Sequence, residues 1–317
     1  MKAISLFSGC GGFDLGAKWA GIETVLAVEW NRHAADSFAK NFPTTQLKFD
    51  VQTTDFTSYN GKVDIVFGGP PCQPFSRNNS SCKGESDPRD MIPQFIRCLR
   101  EVEPEAFCME NVPAMLSPKH SEYFKKTIHE LANLGYKVTA KVLRASDHGA
   151  CTKRRRLFIW GSKTRTIVPP SPDASKTPVF RDLMDPLASY DECPAIYAKN
   201  PVVHKSAGGS MLTNGRGRVV DLDGFVNTIT TGAGNARHIV DTGGVLANYH
   251  KHLQEGKSSR TGRVWGTRRL SLLESRRCQS FPDWFEVVGP MTAQWRQVGN
   301  AVPPKLAQAV LEVLCQD

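Results

Sequence analysis

The first 165 residues alternate short apolar runs with amphipathic stretches, and few folds accommodate that order. Residues 3–7, 23–28, 47–50, 63–67 and 106–110 read as strands, whereas 13–20, 33–41, 91–102 and 121–134 read as helices. Strand and helix taken in turn build βαβ units, whose strands lie parallel. An α/β fold is therefore expected. Residues 138–143 and 156–160 read as two further strands that close the sheet as a hairpin.

The pattern changes after Thr166. Val168-Pro169-Pro170-Ser171-Pro172 reads as a linker, and helical periodicity then fades to about Gly262. Glycines cluster there at 208, 209, 215, 217, 232, 234, 243 and 244, as in a small, loop-rich domain. Regular patterning returns at 268–279. A last helix over 303–314 carries Leu306, Val310, Leu311 and Leu314 on one face. Three parts are expected: 1–165, 166–262 and 263–317.

The net charge of +9 suits a polyanion. Eleven Lys or Arg against Glu130 and Asp147 fall within 125–165, and Arg260, Arg263, Arg268, Arg269, Arg276 and Arg277 form a second basic run. Two such runs around a Gly-rich segment suggest the walls of a nucleic-acid cleft. The nine cysteines include no C-x-x-C pair, which argues against a disulfide framework and a zinc site and fits a reducing cytoplasm. The N-terminus has no signal-peptide pattern, and no apolar run reaches membrane-spanning length.

Chemistry gathers where strands end. Cys72 sits in the turn Gly69-Pro70-Pro71-Cys72-Gln73-Pro74, directly after the strand 63–67. The prolines stiffen the backbone around the thiol. The end of a parallel strand is where open α/β sheets bind ligands. Phe7-Ser8-Gly9-Cys10-Gly11-Gly12 leaves the first strand in a glycine loop that permits close backbone approach. Glu29 and Asp50 end the next two strands with acids suited to ribose hydroxyls or an exocyclic amine, and Trp30 offers a face for adenine. Together they describe an adenosine site. Glu110 closes the strand after the cysteine strand, as an acid that works with a nucleophile would. Arg154 and Arg156 alternate, so on a strand both would point to one face.

These segments, followed by Arg268-Arg269-Leu270-Ser271 with Glu274, Arg277, Gln279 and Phe281-Pro282-Asp283, and then by Gln297-Val298-Gly299-Asn300-Ala301-Val302-Pro303, stand in a familiar order. The chain resembles the cytosine-5 DNA methyltransferases of bacteria and their phages. The resemblance implies a Rossmann-like methyltransferase sheet with S-adenosylmethionine as cofactor, no metal, and a target-recognition domain in the variable middle, 166–262. Cys72 would be the nucleophile, and Glu110 would contact the cytosine ring nitrogen and amine. Arg156, supported by Arg154, would hold the base carbonyl. Phe7, Gly9, Gly12, Glu29, Trp30, Asp50, Pro71, Asn300 and Val302 would line the cofactor pocket. The stretch from Ser76 to Arg89 would close over double-stranded DNA. Thr230, in a segment like that near the family's DNA-reading loops, joins Arg216, Arg218, Asn235 and Arg237 as candidate DNA contacts. The last four are chosen for their side-chain chemistry. A monomer is expected.

The sequence departs from the family at the paired arginines. Thr152 stands where Gln is usual, Cys151 where Pro is common and Arg155 where an acid is common. Changed loop support or DNA contacts are expected, with the chemistry retained. Two alternatives compete: the family's tRNA-methylating branch, and a DNA-binding relative without catalysis. The long middle segment and the absence of a Cys-Phe-Thr tripeptide speak against the first. The joint presence of Cys72, Glu110, Arg154 and Arg156 speaks against the second.

Overall fold

A computed structural model describes residues 1–71, 90–188, 195–197, 202–206, 209–213, 218–231, 238–244, 262–264 and 266–316. Seven strands form the main sheet: β1 (Lys2–Leu6), β2 (Glu23–Val28), β3 (Gln46–Lys48), β4 (Ile65–Gly68), β5 (Ala106–Asn111), β6 (Lys137–Arg144) and β7 (Arg155–Ser162). Their order is β3-β2-β1-β4-β5-β7-β6. The first five are parallel, and β6 and β7 add an antiparallel hairpin at the β5 edge. The expected βαβ alternation and closing hairpin are both present. β3 is shorter than expected, and Asp50 lies in the turn beyond it, with Oδ1 accepting from the Gln52 N–H at 2.9 Å.

Helices cover both faces because β4 and β5 are apolar on both sides. On one side, α3 (Ile92–Val102) and α4 (Ser121–Asn133) pack Phe95, Leu99, Val102 and Leu131 against Val66, Phe107 and Met109. On the other, α1 (Gly12–Trp19) and the C-terminal helix Pro304–Glu312 pack with Phe67, Phe158 and Trp160. Leu306, Val310, Leu311 and Leu314 are all buried there, as their helical spacing predicts. Gly16 permits this contact, since a Cβ on it would lie 2.4 Å from that of Ala307. α2 (Arg32–Asn41), which Asn31 caps, leans on the helix Met291–Asn300 through a 2.6 Å hydrogen bond between Ser37 and Gln297. The end of the chain thus returns to the sheet.

A second, smaller core joins Phe180, Val220, Val226, Ile229 and Val240 to Cys151, Leu270, Cys278 and Val298. The described strands that follow β7 are all short: β8 (Ala195–Tyr197), β9 (Val202–Ser206), β10 (Gly209–Thr213), β11 (Arg218–Val219), β12 (His238–Val240), β13 (Gly262–Val264) and β14 (Arg268–Arg269). Among the described residues, no helix is long and apolar enough to cross a membrane, and no cluster of three His, Cys, Asp or Glu could hold a metal ion.

Candidate active site

Strand order reverses between β1 and β4, and at such a switch point the loops leaving adjacent strands diverge to leave a crevice. The glycine loop leaves β1 there, and Gly69-Pro70-Pro71 leaves β4. Phe7 turns the chain out of β1 with φ 57°, a left-handed conformation that costs a non-glycine residue on the order of 1–2 kcal/mol. Gly9 (φ 59°) and Gly11 (φ 95°) continue the turn. Glu29 fixes the loop from the side: one carboxylate oxygen accepts from the Gly9 N–H at 2.8 Å and the other from the Asn31 N–H at 2.7 Å. Burial raises the Glu29 pKa, and these two N–H groups partly offset that rise. Beside this buried acid, Trp30 is 77% exposed. Gly12 lies against the returning chain, for a Cβ there would fall 2.6 Å from the Val302 carbonyl oxygen.

Glu110 comes from the end of β5, next to β4. A Cβ on Gly69 would stand 2.9 Å from Glu110 Oε2, so glycine leaves the carboxylate room beside the cysteine turn. Arg156, near the start of β7, meets the other oxygen with Nε at 2.7 Å from Oε1. Both side chains are largely buried yet keep some access, at 17% and 12% exposure. Arg154 differs. The strand begins at Arg155, so Arg154 lies outside the alternation expected of the pair. Its guanidinium is buried and donates to the Gly299 and Asn300 carbonyls at 2.8 and 2.9 Å. Burial holds its pKa well below the usual arginine range, the like charge of Arg156 adds to this, and Glu110 opposes it. Arg154 thereby ties the paired-arginine segment to the Asn300–Val302 turn, the other wall of the crevice. On its far side Gly299 abuts the Thr230 backbone, where a Cβ would come within 2.6 Å.

Folding divides the two basic runs. The β6–β7 hairpin runs across the sheet, so Lys137, Lys163 and Arg165 lie at the edge opposite the crevice, while Arg144, Lys153 and Arg155 lie beside it. In the second run, Arg268 is buried against Glu274, Arg276 donates to the carbonyls of Pro282, Asp283 and Phe285, and Arg277 pairs with Asp283. Those three arginines hold the fold together. Their charges are taken up by groups brought near only by folding, which spacing along the chain does not report.

Of the residues expected at the site, Phe7, Gly9, Gly12, Glu29, Trp30, Pro71, Glu110, Arg154, Arg156, Asn300 and Val302 stand around this one crevice, and Asp50 lies exposed beyond β3. Cys72, Ser76, Arg89, Arg216, Asn235 and Arg237 lie outside the described residues, and Arg218 is described only as part of β11. Three features were not read from sequence: the left-handed backbone of Phe7, the gap at Gly69, and Asn111, whose buried Nδ2 has no partner among the described residues. A glycine just before the cysteine turn was the available signal for the second. The departures Cys151 and Thr152 are packed into the seam between the cores. Cys151 is buried there, and Thr152 bridges to Val226.

Comparison with known proteins agrees with this geometry. The family model described as C-5 cytosine-specific DNA methylase matches residues 1–316. The chain is 34% identical to the type II methyltransferase M.AplI of Arthrospira platensis, over 98% of this chain and 84% of that protein. It is 32% identical to M1.HphI of Haemophilus parahaemolyticus, over 98% and 86%. Among solved structures, a DNA modification methyltransferase encoded within an E. coli prophage superposes with TM-score 0.70 at 24% identity, covering 99% of this chain and 98% of that one. Spodoptera frugiperda DNMT2 superposes with TM-score 0.76 at 18% identity, covering 99% of each. A glycine loop and a Gly-Pro-Pro turn at the switch point, with an acid–arginine pair beside them, belong to a match over residues 1–316: the protein is a member of the C-5 cytosine-specific DNA methylases, which take their methyl group from S-adenosylmethionine.

Proposed function

We propose that this enzyme methylates carbon 5 of a cytosine flipped out of double-stranded DNA, within one short sequence, as the methyltransferase of a restriction–modification pair. The observation that carries this reading is the Glu110–Arg156 pair, set at the switch-point crevice beside the gap at Gly69, three residues before Cys72. A base stacked in duplex cannot reach such a crevice, and extruding it costs a few kcal/mol. The loop from Ser76 to Arg89 closes over it. The small domain, 166–262, reads sequence through Arg216, Arg218, Thr230, Asn235 and Arg237, and the parts 1–165 and 263–317 together form the catalytic domain. The protein works as a cytoplasmic monomer.

The residues on the sheet edge fit S-adenosylmethionine. Trp30 offers an exposed aromatic face, Glu29 and Asp50 offer acceptor oxygens for hydroxyl and amine groups, and the strained Phe7–Gly12 loop brings backbone close. Pro71 and the Asn300–Val302 turn complete the pocket. The cofactor supplies an electrophilic methyl group.

The protein's own residues activate the base. Carbon 5 of cytosine is a weak nucleophile. The Cys72 thiolate adds to carbon 6, and the ring electrons are then free to serve carbon 5. As the thiolate adds, negative charge grows on the ring nitrogen, and Glu110 meets it with a proton. Arg156 holds the carbonyl oxygen with its fork of donors while its Nε steadies Glu110. Once carbon 5 carries the methyl group, its proton passes to water, the carbon 5–carbon 6 double bond re-forms, Cys72 leaves as thiolate and the ring nitrogen returns its proton to Glu110. Arg154 positions Arg156 and the turn at 299–302 and touches neither substrate nor cofactor.

Bisulfite sequencing of unmethylated plasmid DNA, after incubation with the protein and S-adenosylmethionine, tests the reading. Protected cytosines in one repeated context are expected, and Cys72→Ser should abolish them while retaining DNA binding. A folded, cofactor-binding wild-type protein that protects no cytosine would overturn it, as would near-normal protection by Cys72→Ser.

A further inference from the structure

The register of the β6–β7 hairpin sets Arg144 directly opposite Arg155. Like charges facing each other across a strand pair repel and weaken it. Both side chains are exposed, and neither guanidinium has a hydrogen-bond or ion-pair partner among the described residues. Where this fold uses arginines as joints it gives them partners: Arg268 has Glu274, Arg277 has Asp283, Arg97 has Glu101 and Arg154 has two carbonyls. Arg144 and Arg155 have none among the described residues, and they face each other at one end of a paired ladder.

Its position gives it a use. Asn111, which ends β5, faces Leu157 on β7, so Arg144 and Arg155 lie at the sheet edge where the crevice opens. Arg155 adjoins Arg156, yet successive side chains of a strand point to opposite faces. Arg156 turns to Glu110, so Arg155 and Arg144 flank the base pocket from the other face of the sheet. Side chains opposed on a strand pair start from Cβ atoms about 5 Å apart. Two guanidinium forks at that spacing match one phosphodiester or two successive ones. The exposed Lys153 lies on the same edge.

We propose that Arg144 and Arg155 form a clamp for the DNA backbone, gripping phosphate beside the flipped cytosine. The proposal rests on the DNA-methylating reading above. The Arg144–Arg155 repulsion, unfavourable in the free protein, is relieved when the phosphate binds.

The test is the salt dependence of binding to unmethylated duplex DNA, between about 50 and 200 mM salt, where each phosphate contact steepens the log–log slope by about 0.9. The full-length wild type is compared with Arg144→Gln/Arg155→Gln, and with Lys137→Gln, which removes a charge from the far end of the same hairpin. The double variant should flatten the slope by about one to two, with the KM for DNA raised about tenfold at the upper salt limit. It should melt no lower than wild type, because a repulsion has been removed. Lys137→Gln should match wild type in slope and turnover. Should the double variant melt early, Arg155→Gln alone should flatten the slope by about one. A double variant with the wild-type slope overturns the clamp, as does an equal flattening by Lys137→Gln, which would mark a general charge effect. A wild type that binds no DNA and methylates no cytosine refutes the underlying reading, and is told apart because it fails before any variant is compared.

Discussion

Two acid–arginine pairs in this molecule have opposite fates. Arg268 and Glu274 are 1% and 0% exposed and form a two-point contact. The remaining capacity of Glu274 is used by the N–H groups of Ser271 and Asp185, the former as half of the capping box that starts the helix Leu272–Cys278. Glu110 and Arg156 meet through one close contact and stay partly open at the crevice. Taking charges out of water is costly unless hydrogen bonds replace the lost hydration, and both oxygens of the sealed Glu274 have donors. An open pair can hold capacity in reserve for a substrate. The difference separates a joint of the scaffold from a working site.

Glu110→Gln breaks the comparison most directly. Turnover should fall on the order of 10²–10⁴-fold, the usual weight of a general acid or base. The urea midpoint should stay near wild type, since glutamine keeps a side-chain oxygen that can accept from Arg156 Nε and both groups retain some access to water. Full activity with lost stability would make the pair structural. Glu274→Ala should do the reverse. It leaves the Arg268 charge sealed without its acid, which typically costs about 3–5 kcal/mol. Equilibrium unfolding would show this, and a stable, folded variant would contradict the assignment.

Asp14 sharpens the comparison as a sealed acid without a cation. Burial lifts its carboxyl from the ordinary 3.8 to about 7, against a hydrogen bond from Thr24. The folded protein therefore holds a proton that the unfolded chain releases near 3.8. The stability this confers is complete below that value and is lost as pH rises toward about 7. Asp14→Asn should flatten the decline, read from urea unfolding at about pH 5 and pH 8. An unchanged slope would place the effect elsewhere. The smallest effect is expected at Trp30, which is open to solvent. Trp30→Ala should weaken cofactor binding by about three- to tenfold, the worth of one aromatic contact, and leave stability alone. Unchanged cofactor affinity by calorimetry would remove Trp30 from the pocket.

Much of the fold was legible because its signals are local. Alternating periods mark strands and helices, and residues 106–110, 138–143 and 156–160 lie within strands of the observed sheet. Element ends were less legible. Asp50 falls outside β3 because chain reversal there depends on its hydrogen bond to Gln52, and Arg154 falls outside β7 because distant carbonyls claim its side chain. The motifs named both Glu110 and Arg156, and the structure alone supplies their contact and the Gly69 gap beside it.

Charge was the property least readable from sequence. Lys137 and Arg144 share one strand but lie at its opposite ends, so a run that looks continuous along the chain is divided across the sheet. Arg268, Arg276 and Arg277 look like a basic surface until folding brings Glu274, Asp283 and three carbonyls to them. What the sequence determined by itself was the parallel α/β sheet and the order of its chemical segments, because periodicity and turn chemistry act within a few residues. The tertiary structure alone decided which arginines are joints and which face the crevice. That choice depends on desolvation and on partners that a run of charges does not mark, near in sequence for Arg268 and Glu274 and more than a hundred residues away for Arg154 and Gly299.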